Sequence, residues 1–367
     1  MSSKIRVGIL FGGKSAEHEV SLQSAKNIVE AIDRKKYEVV LIGIDKKGRW
    51  HLNDNSKFLL HAENPKLIAL NLTNDNVALM PGEKNEQLVS LSNRQSICPV
   101  DVIFPILHGP FGEDGTVQGL LKLADVAFVG ATVLGSAIGM DKDVMKRLLR
   151  DAGIPIGDFV VFQRYSLPEI DFEKVKTRLD LPLFVKPANL GSSVGINKVK
   201  NKAQFEHAIN DAFKYDNKIL IEECLKGREI ECSVLGNENP IASLPGEVIP
   251  QHEFYSYQAK YIDDNGALLN IPAKLPDHII KEVQSLSIKT YKVLCCEGMA
   301  RVDLFLTENE KVMIHEINTI PGFTKISMYP KLWEVSGISY TELIDKLIQL
   351  ALERFENEKK LKTSFEF

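Results

Sequence analysis

The chain has 367 residues, of which 45 are Lys or Arg and 49 are Asp or Glu, so its formal net charge is −4. This near balance of charges excludes a broad electrostatic attraction to nucleic acid or to anionic lipid. Apolar residues make up 44% of the chain and charged residues 26%, which excludes a disordered protein. The length exceeds what one hydrophobic core supports and predicts two or three domains.

The N-terminal third alternates between strands and helices. We predict three strands buried on both faces, because these segments are short, apolar and β-branched, and two helices. The strands are 4–11, 37–45 and 100–107, and the helices are 18–34 and Thr116–Leu123. This order predicts an open α/β domain over residues 1–135. Residues 47–99 are polar and irregular, and no element is predicted there.

The middle of the chain predicts a second domain over residues 136–220. Its expected elements are a helix over 141–151, strands over 158–163 and 182–187, and a helix over 202–213. Three further segments are interpreted as one antiparallel meander, namely 218–224, 229–235 and 241–249. The fold class is therefore α/β, and in part α+β.

The C-terminal part predicts a third domain over residues 221–367. We expect a helix, a hairpin and a closing helix, which lie at 276–294, 299–306 with 311–318, and 339–356. Residues 250–274 are polar and lack clear periodicity, and three tyrosines fall within residues 255–261. A connection that long is typical of a disordered loop or a functional lid, and the aromatic bias favours the lid.

No segment of the chain predicts export or a membrane span. The apolar run near the N-terminus is short and contains Arg6, unlike a signal peptide. No stretch approaches the roughly 20 apolar residues that a spanning helix needs. The five cysteines lack CxxC spacing, which disfavours a zinc site or a disulfide framework. We therefore expect a cytoplasmic protein.

Gly8 to Ser15 match the phosphate-binding pattern GxxxxGK[ST], but we interpret the match as accidental. The pattern needs its variable residues in a loop, whereas Ile9, Leu10 and Phe11 continue an apolar strand. A short Gly12-Gly13 turn before a helix can still approach a small ligand closely. Glu17 lies at that helix start, where it either serves the ligand or complements the helix dipole.

The hairpin at 299–318 is the most informative feature of the sequence. If residues 307–310 form the turn and 306 pairs with 311, then 303 faces 314 and 301 faces 316. On this register Asp303 and Glu316 are diagonal neighbours, and Arg301 and Asn318 project from the same face. Oxygen ligands that converge in this way suit Mg²⁺ shared with phosphates. The alternative is an exposed face on which Arg301 and Glu316 form a surface ion pair.

Motifs in a fixed order give the chain a specific resemblance. It resembles the ATP-grasp superfamily and, within it, the D-alanine–D-alanine ligase family. The motifs that carry the resemblance are Gly12–Ser21, His108–Gly115, Gly139–Lys142, Val185–Pro187, Gly191–Gly195, Ala259–Tyr261, Arg301–Asp303 and Glu316–Gly322. Each motif alone is weak, but the ordered set spans nearly the whole chain.

The resemblance implies a fold and a reaction. The fold is ATP-grasp, with ATP held between the central and C-terminal domains. The reaction joins two D-alanines with ATP through a D-alanyl phosphate, for peptidoglycan precursors. A related carboxylate–amine ligase that forms D-alanyl-D-serine or D-alanyl-D-lactate is the alternative. A homodimer is expected from the resemblance alone.

Roles for individual residues are also implied by the resemblance. The catalytic group is Glu17, Ser192, Tyr261, Arg301 and Gly322, and the substrate contacts are Glu17, His108, Lys260 and Ser327. His108 is alternatively a structural histidine. The expected nucleotide contacts are Lys142, Lys186, Glu222, Glu223, Leu225 and Glu229, although Lys186 is alternatively a snorkelling surface lysine. Two Mg²⁺ ions, or Mn²⁺ in their place, are expected on Asp303, Glu316 and Asn318.

Two other classes of protein stay open. The Gly8–Ser15 pattern leaves a P-loop kinase or NTPase as one alternative. A nucleotide-binding regulator without catalysis is the other, although the intact set Arg301, Asp303, Glu316 and Asn318 disfavours it.

Overall fold

A computed structural model describes residues 4–82, 86–191, 194–250, 267–362 and 364. The N-terminal part has helices α1 (His18–Ala31), α2 (Thr116–Leu123) and α3 (Val133–Met140). Its strands are β1 (Ile5–Gly12), β2 (Tyr37–Ile44), β3 (Trp50–Asn53), β4 (Leu59–Leu60), β5 (Ala69–Leu70), β6 (Val77–Leu79), β7 (Leu88–Ser90), β8 (Ser96–Cys98), β9 (Val102–Ile106) and β10 (Ala127–Phe128).

The main sheet of this part has the order β10-β9-β1-β2-β3, and only β3 runs antiparallel to its neighbour. The three predicted strands and both predicted helices are confirmed. Residues 47–99, for which the sequence predicts no element, contribute β3 to this sheet and otherwise form short antiparallel pairings among β4 to β8. These strands are only two to four residues long, too short to show a periodic pattern.

The turn after β1 explains why the phosphate-loop pattern does not form a phosphate loop. Gly8 lies inside β1, where a Cβ would be 2.5 Å from Ile103 Cδ1, so its small size serves sheet packing. Gly12 ends the strand with φ +91°, a backbone conformation that favours glycine. Ile9, Leu10 and Phe11 lie in a strand as predicted, which supports the interpretation of the pattern as accidental.

The central part builds a four-stranded antiparallel sheet of order β11-β14-β12-β13. Its elements are α4 (Lys142–Asp151), β11 (Phe159–Gln163), a 3₁₀ helix (Arg164–Glu169), α5 (Phe172–Leu179), β12 (Leu183–Pro187), β13 (Asn197–Val199), α6 (Lys202–Ala212) and β14 (Lys218–Glu223). One face is apolar and packs on α5 and α6. The other face carries Lys186 and Glu222, which α4 partly covers.

The C-terminal part is an antiparallel sheet of order β18-β17-β15-β19-β20, with β16 paired to β15. Its elements are β15 (Gly227–Gly236), β16 (Ile241–Ala242), β17 (Gly246–Pro250), β18 (Ala267–Asn270), α7 (Asp277–Val293), β19 (Gly298–Thr307), β20 (Val312–Asn318), α8 (Met328–Val335) and α9 (Tyr340–Lys359). The predicted hairpin and both predicted helices are confirmed. Apolar residues of α4 and α7 cover one face of the sheet.

Two predictions in this region are wrong in part. The meander does not begin at 218–224, because β14 pairs with β11 and β12 in the central sheet. The segment 241–249 is split into β16 and β17, which both pair with β15. Within the predicted lid, β18 adds a strand beside β17, and residues 251–266 lie outside the described part of the chain.

The last helix returns to the first sheet. Leu343, Ile344, Leu347 and Ile348 of α9 belong to the same buried core as β1 and β9. Arg354 is buried and donates to the carbonyls of Gly130 and Phe128 at 2.6 and 2.7 Å. The C-terminal sheet is therefore fixed against the N-terminal one, and a cleft is left between them. No helix in the described ranges has the length and apolar character needed to cross a membrane.

Candidate active site

The polar face of the β19–β20 hairpin is built by a register that differs from the predicted one. Leu306 pairs with Val312 and Leu304 with Ile314, but a bulge follows, after which Asp303 pairs with Glu316. Val312 and Ile314 therefore pack into the core instead of sharing a face with Glu316. The predicted register is wrong for two reasons. Leu306 pairs with Val312 instead of Lys311, which shifts the strands by one residue at the turn, and the bulge then places one extra residue on β20.

The predicted set of polar residues nevertheless comes together. Asp303 lies directly opposite Glu316, and Arg301 directly opposite Asn318. Asn318 donates its side-chain amide to Asp303 at 3.0 Å. Since direct partners on one face are closer than diagonal ones, the convergence is tighter than we expected from the sequence.

Arg301 is the centre of an ion-pair network. Its guanidinium donates to both carboxylate oxygens of Asp303 at 2.7 Å, and its Nε lies 2.9 Å from Glu231 Oε2. Glu231 comes from β15, where it pairs with Asp303. The alternative of an exposed hairpin face is wrong, because Arg301 is only 16% exposed and binds Asp303 in a bidentate geometry.

Lys142 links the hairpin to the glycine-rich segment. The side chain is buried at the start of α4, where it donates to the Leu190 carbonyl at 2.8 Å. Its Nζ also lies 3.6 Å from Glu316 Oε2. One ammonium thus connects the loop that begins near Gly191 with the predicted metal-binding face.

A second group of charges is buried under α4. Lys186 Nζ lies 2.6 Å from one oxygen of Glu222, and Lys146 Nζ lies 3.5 Å from the other oxygen. Burial alone would raise the pKa of the Glu222 carboxyl, but Lys146 and Lys186 outweigh it and lower that pKa to about 2. Lys186 is only 4% exposed, so the alternative of a snorkelling surface lysine is wrong.

Glu17 lies on the opposite side of the cleft, at the first turn of α1. The side chain is buried, and two glycines leave room for it. A Cβ on Gly109 would lie 2.6 Å from Glu17 Oε2, and one on Gly191 would lie 3.4 Å from it. The His108–Gly115 loop and the glycine-rich loop therefore meet at this carboxylate.

His108 holds the loop that carries Gly322. Its Nδ1 lies 3.0 Å from the Ile320 carbonyl oxygen and its Nε2 lies 3.3 Å from Ser24 Oγ. Since a carbonyl can only accept, Nδ1 is the donor. Burial lowers the pKa of His108 to about 4, so the ring is neutral. Both ring nitrogens are engaged, which favours the structural interpretation of His108.

Glu113 is a neighbouring residue that the sequence interpretation missed. Its two carboxyl oxygens accept from the backbone N–H groups of Gly109 at 2.7 Å and Ile320 at 3.2 Å. Burial, reinforced by the nearby Glu17 carboxylate, raises the pKa of Glu113 to about 8. The acid at position 113 falls within a quoted motif, but its contact with Ile320 joins residues 207 apart in the sequence.

Gly322 and Ser327 belong to one tight loop after β20. A Cβ on Gly322 would lie 2.7 Å from Ser327 Oγ, so a side chain there would displace the serine. Ser327 Oγ accepts from the Thr324 N–H at 2.9 Å and contacts Thr324 Oγ1 at 2.7 Å. Glycine at position 322 thus leaves room for Ser327, and both residues line the cleft.

The remaining predicted nucleotide contacts lie at the connection between the central and C-terminal sheets. Glu223 ends β14, and its side chain accepts from the Asp158 N–H at 2.7 Å. Leu225 packs near Gly157. Glu229 is paired with Phe305, two residues along β15 from Glu231, so it points to the same face as Glu231.

The structure brings seven of the predicted residues to one cleft. Those that line it are Glu17, His108, Arg301, Glu316, Asn318, Gly322 and Ser327. Ser192, Lys260 and Tyr261 lie outside the described residues. Glu231 and Lys146 were missed, although the alternation of Glu229 and Glu231 along a strand was a usable signal.

The donor set at the hairpin fits a magnesium ion that shares its ligands with phosphate. Asp303 and Glu316 supply carboxylate oxygens, and Asn318 can supply an amide oxygen, which are hard ligands. Within the described ranges, no cluster of three or more His, Cys, Asp or Glu side chains could hold a metal ion alone. Phosphate oxygens would complete the coordination. The cleft also contains the Arg301 guanidinium and the buried Glu17 carboxylate, a combination that suits phosphoryl transfer and acyl transfer.

Comparison with known proteins covers nearly the whole chain. A profile described as "D-ala D-ala ligase N-terminus" matches residues 6–131, and one described as "D-ala D-ala ligase C-terminus" matches residues 148–349. The chain is similar to the D-alanine–D-alanine ligase of Shouchella clausii, with 59% identity over 99% of this chain and 98% of that protein.

Two solved structures are also similar over most of their length. The D-alanine–D-alanine ligase from Coxiella burnetii has a TM-score of 0.85 and 41% identity, and the match covers 98% of this chain and 97% of that one. The VanG D-Ala:D-Ser ligase from Enterococcus faecalis has a TM-score of 0.84 and 35% identity, and the match covers 95% and 100%.

Proposed function

The chain belongs to the D-alanine–D-alanine ligase family, with the ATP-grasp fold, and from this premise we propose how its residues perform the reaction. The enzyme is a ligase that joins two D-alanines to D-alanyl-D-alanine with ATP, a step in peptidoglycan synthesis. The observation that supports the residue assignments best is the convergence of Arg301, Asp303, Glu316 and Asn318 on one face of the cleft.

Phosphoryl transfer is the first chemical step. The carboxylate of the first D-alanine attacks the γ-phosphorus of ATP, and the bond to the β-phosphate oxygen breaks, which yields D-alanyl phosphate and ADP. Glu17 holds the substrate ammonium, while Lys142 and Lys186 neutralise phosphate charge. Asp303, Glu316 and Asn318 would hold magnesium, which would supply further neutralisation of phosphate charge. Two ions are expected, and Mn²⁺ is an alternative.

The adenosine end lies at the connection between β14 and β15. The backbone near Glu223 and Leu225 reads the adenine edge, and Glu222 lies beside it, with its Oε1 3.5 Å from Lys146 Nζ and its Oε2 2.6 Å from Lys186 Nζ. Glu229, on the same face of β15 as Glu231, is our choice for the ribose hydroxyls.

Acyl transfer completes the reaction. The ammonium of the second D-alanine first gives a proton to Glu17 or to the reacting phosphate. The free amine then attacks the acyl carbon, and phosphate leaves with its bonding electrons. Arg301 and the Gly322 N–H stabilise the oxyanion of the tetrahedral intermediate. Ser327, with Lys260, holds the carboxylate of the second D-alanine. Ser192 and Tyr261 join Glu17 in a hydrogen-bonded triad that positions the amine, and His108 fixes the Ile320 carbonyl beside it.

Three broader assignments complete the proposal. Residues 250–274 include a lid that excludes water from the acyl phosphate, with Lys260 and Tyr261 on it. The enzyme acts in the cytoplasm, where ATP is available. It is a homodimer that associates through the N-terminal domain.

Product analysis tests the assignment of substrate. Incubation with ATP, Mg²⁺ and D-alanine should give one phosphate per D-alanyl-D-alanine, as measured by phosphate release and mass spectrometry. Parallel reactions with D-serine or D-lactate as second substrate test the alternative ligases. A faster reaction with either of these than with D-alanine alone would overturn the choice of D-alanine as second substrate.

A further inference from the structure

A third lysine lies beside the nucleotide-binding charges and has no role in the steps above. Lys146 follows Lys142 by one turn of α4, and its side chain is only 2% exposed. Its Nζ lies 3.5 Å from Glu222 Oε1 and 5.7 Å from the centre of the Phe159 ring. Burying an ammonium is costly, so its place in this cluster needs a reason.

The pair between Lys186 and Glu222 conflicts with the phosphate role of Lys186. In this structure, the Lys186 ammonium is 2.6 Å from Glu222 Oε2, and both side chains are almost fully buried. If Lys186 turned toward a phosphate, a carboxylate paired with Lys186 alone would become a buried, uncompensated charge. Such a charge is strongly unfavourable and would count against nucleotide binding.

We propose that Lys146 is a positioning residue that keeps Glu222 neutralised when Lys186 turns from that carboxylate to the nucleotide phosphates. This inference rests on the proposed phosphate role of Lys186. Each oxygen of Glu222 faces a different lysine, so one ammonium can leave while the other remains.

The surrounding contacts favour Lys146 as the partner of Glu222 and Lys186 as the partner of the phosphates. Lys142, on the same face of α4, is already held by the Leu190 carbonyl and lies close to Glu316, so it cannot replace Lys146 at Glu222. Lys146 lies against Phe159, whereas Lys186 lies next to the end of β12, the strand that leads toward the glycine-rich loop. We therefore infer that Lys146 stays at Glu222 and that Lys186 is the lysine that moves.

Nucleotide binding by a Lys146→Met variant tests the proposal. We expect the dissociation constant for ADP, measured by calorimetry, to rise about tenfold, because Lys186 is then retained by Glu222. Adenosine lacks phosphates, so its affinity should change by less than about twofold. Turnover at saturating ATP should stay near that of the wild type, while the KM for ATP rises. Lys346→Met, at an exposed lysine of α9, is the matched control.

A second comparison keeps the test valid if Lys146→Met folds poorly. Glu222→Gln removes the carboxylate charge, so adding Lys146→Met to that variant should leave ADP affinity unchanged within about twofold. A tenfold loss in the double variant relative to Glu222→Gln would overturn the proposal. Equal weakening of adenosine and ADP by Lys146→Met would also overturn it, because Lys146 would then serve the adenine site or the fold.

The same assays separate this inference from the proposed function. If the wild type makes dipeptide but Lys146→Met binds ADP as tightly as the wild type does, the proposed function stands and the role of Lys146 is refuted. If the wild type makes no dipeptide but Lys146→Met loses affinity for ADP and not for adenosine, the proposed function is refuted and the role of Lys146 stands.

Discussion

Arg301 shows how one side chain connects substrate chemistry to the metal ligands. Its planar guanidinium binds both oxygens of Asp303 at 2.7 Å and also reaches Glu231. A lysine would provide one point charge instead of a fixed fork of donors. The orientation of Asp303 and the stabilisation of the oxyanion therefore both depend on arginine at this position.

We expect Arg301→Lys to lower kcat by roughly 100-fold, because a preorganised oxyanion donor is lost. The affinity for ADP should change much less. Arg228→Lys is the matched control, because Arg228 forms a similar bidentate pair with Glu247 on the same sheet. Steady-state kinetics measures both variants, and an equal loss of kcat in the two would contradict the role of Arg301.

His108 gives a pH dependence with a definite sign. Burial lowers its pKa to about 4 from the ordinary 6.5, so the unfolded chain binds the proton first. The stability due to the neutral ring is present above about pH 6.5 and is lost as the pH falls toward 4. We expect the wild type to lose roughly 2–3 kcal/mol relative to His108→Gln between pH 7.5 and 4.5. Urea unfolding at both pH values measures this difference, and a constant difference would exclude a buried neutral His108.

At the scale of elements, the β19–β20 hairpin shows what a sequence pattern can and cannot predict. Strict alternation of side chains brought the correct four polar residues together, because each strand alternates locally. The bulge could not be predicted, since an inserted residue leaves no signature in composition, and it moved Ile314 to the core while Glu316 stayed on the polar face. The alternation of side chains is determined by the residues of one strand, whereas the register depends on how two strands pair.

Long-range pairing limited the other predictions. β14 is a strand as expected, but its partners β11 and β12 were not identifiable from its own residues, so it was placed in the wrong sheet. The contact of Glu113 with Ile320 was missed for the same reason. Elements with strong local patterns, such as α2 and α7, were predicted nearly residue by residue.

The position of Gly8 inside β1 separates the ligase from a P-loop enzyme. Lys14 is exposed and lies near the Phe111 ring, whereas Lys186 is buried beside Glu222. Lys14→Ala should therefore change the KM for ATP by less than about threefold, and Lys186→Ala should raise it by at least roughly 100-fold. ATP titrations of phosphate release measure both. A greater loss in Lys14→Ala would support the P-loop alternative.

At the scale of the molecule, two elements, β14 and α9, connect the three larger sheets of the described residues. β14 crosses the boundary predicted at residue 220, so we propose that the central domain extends to Glu223 and the C-terminal domain starts after it. α9 then crosses back to the N-terminal sheet and shares its core. The cleft therefore lies between the N-terminal and C-terminal sheets, and its walls come from both parts of the chain.

Exposed leucines on α2 and α3 favour the proposed dimer. Leu120, Leu123 and Leu134 are 37%, 73% and 57% exposed on these neighbouring helices. Burying such residues against a second copy would remove apolar surface from water. We expect Leu123→Glu to shift the protein from dimer to monomer in sedimentation velocity. A wild type that sediments as a monomer would refute the dimer, and a Leu123→Glu dimer would exclude this surface.

The transfer of carboxylate oxygen tests the central claim of ATP-driven peptide bond formation most directly. D-alanine labelled with ¹⁸O in its carboxylate is incubated with the enzyme, ATP and Mg²⁺, and the released phosphate is analysed by mass spectrometry. The account predicts one ¹⁸O per phosphate, because the attacking oxygen leaves with phosphorus when the amide forms. Phosphate without ¹⁸O, released in step with dipeptide, would contradict it.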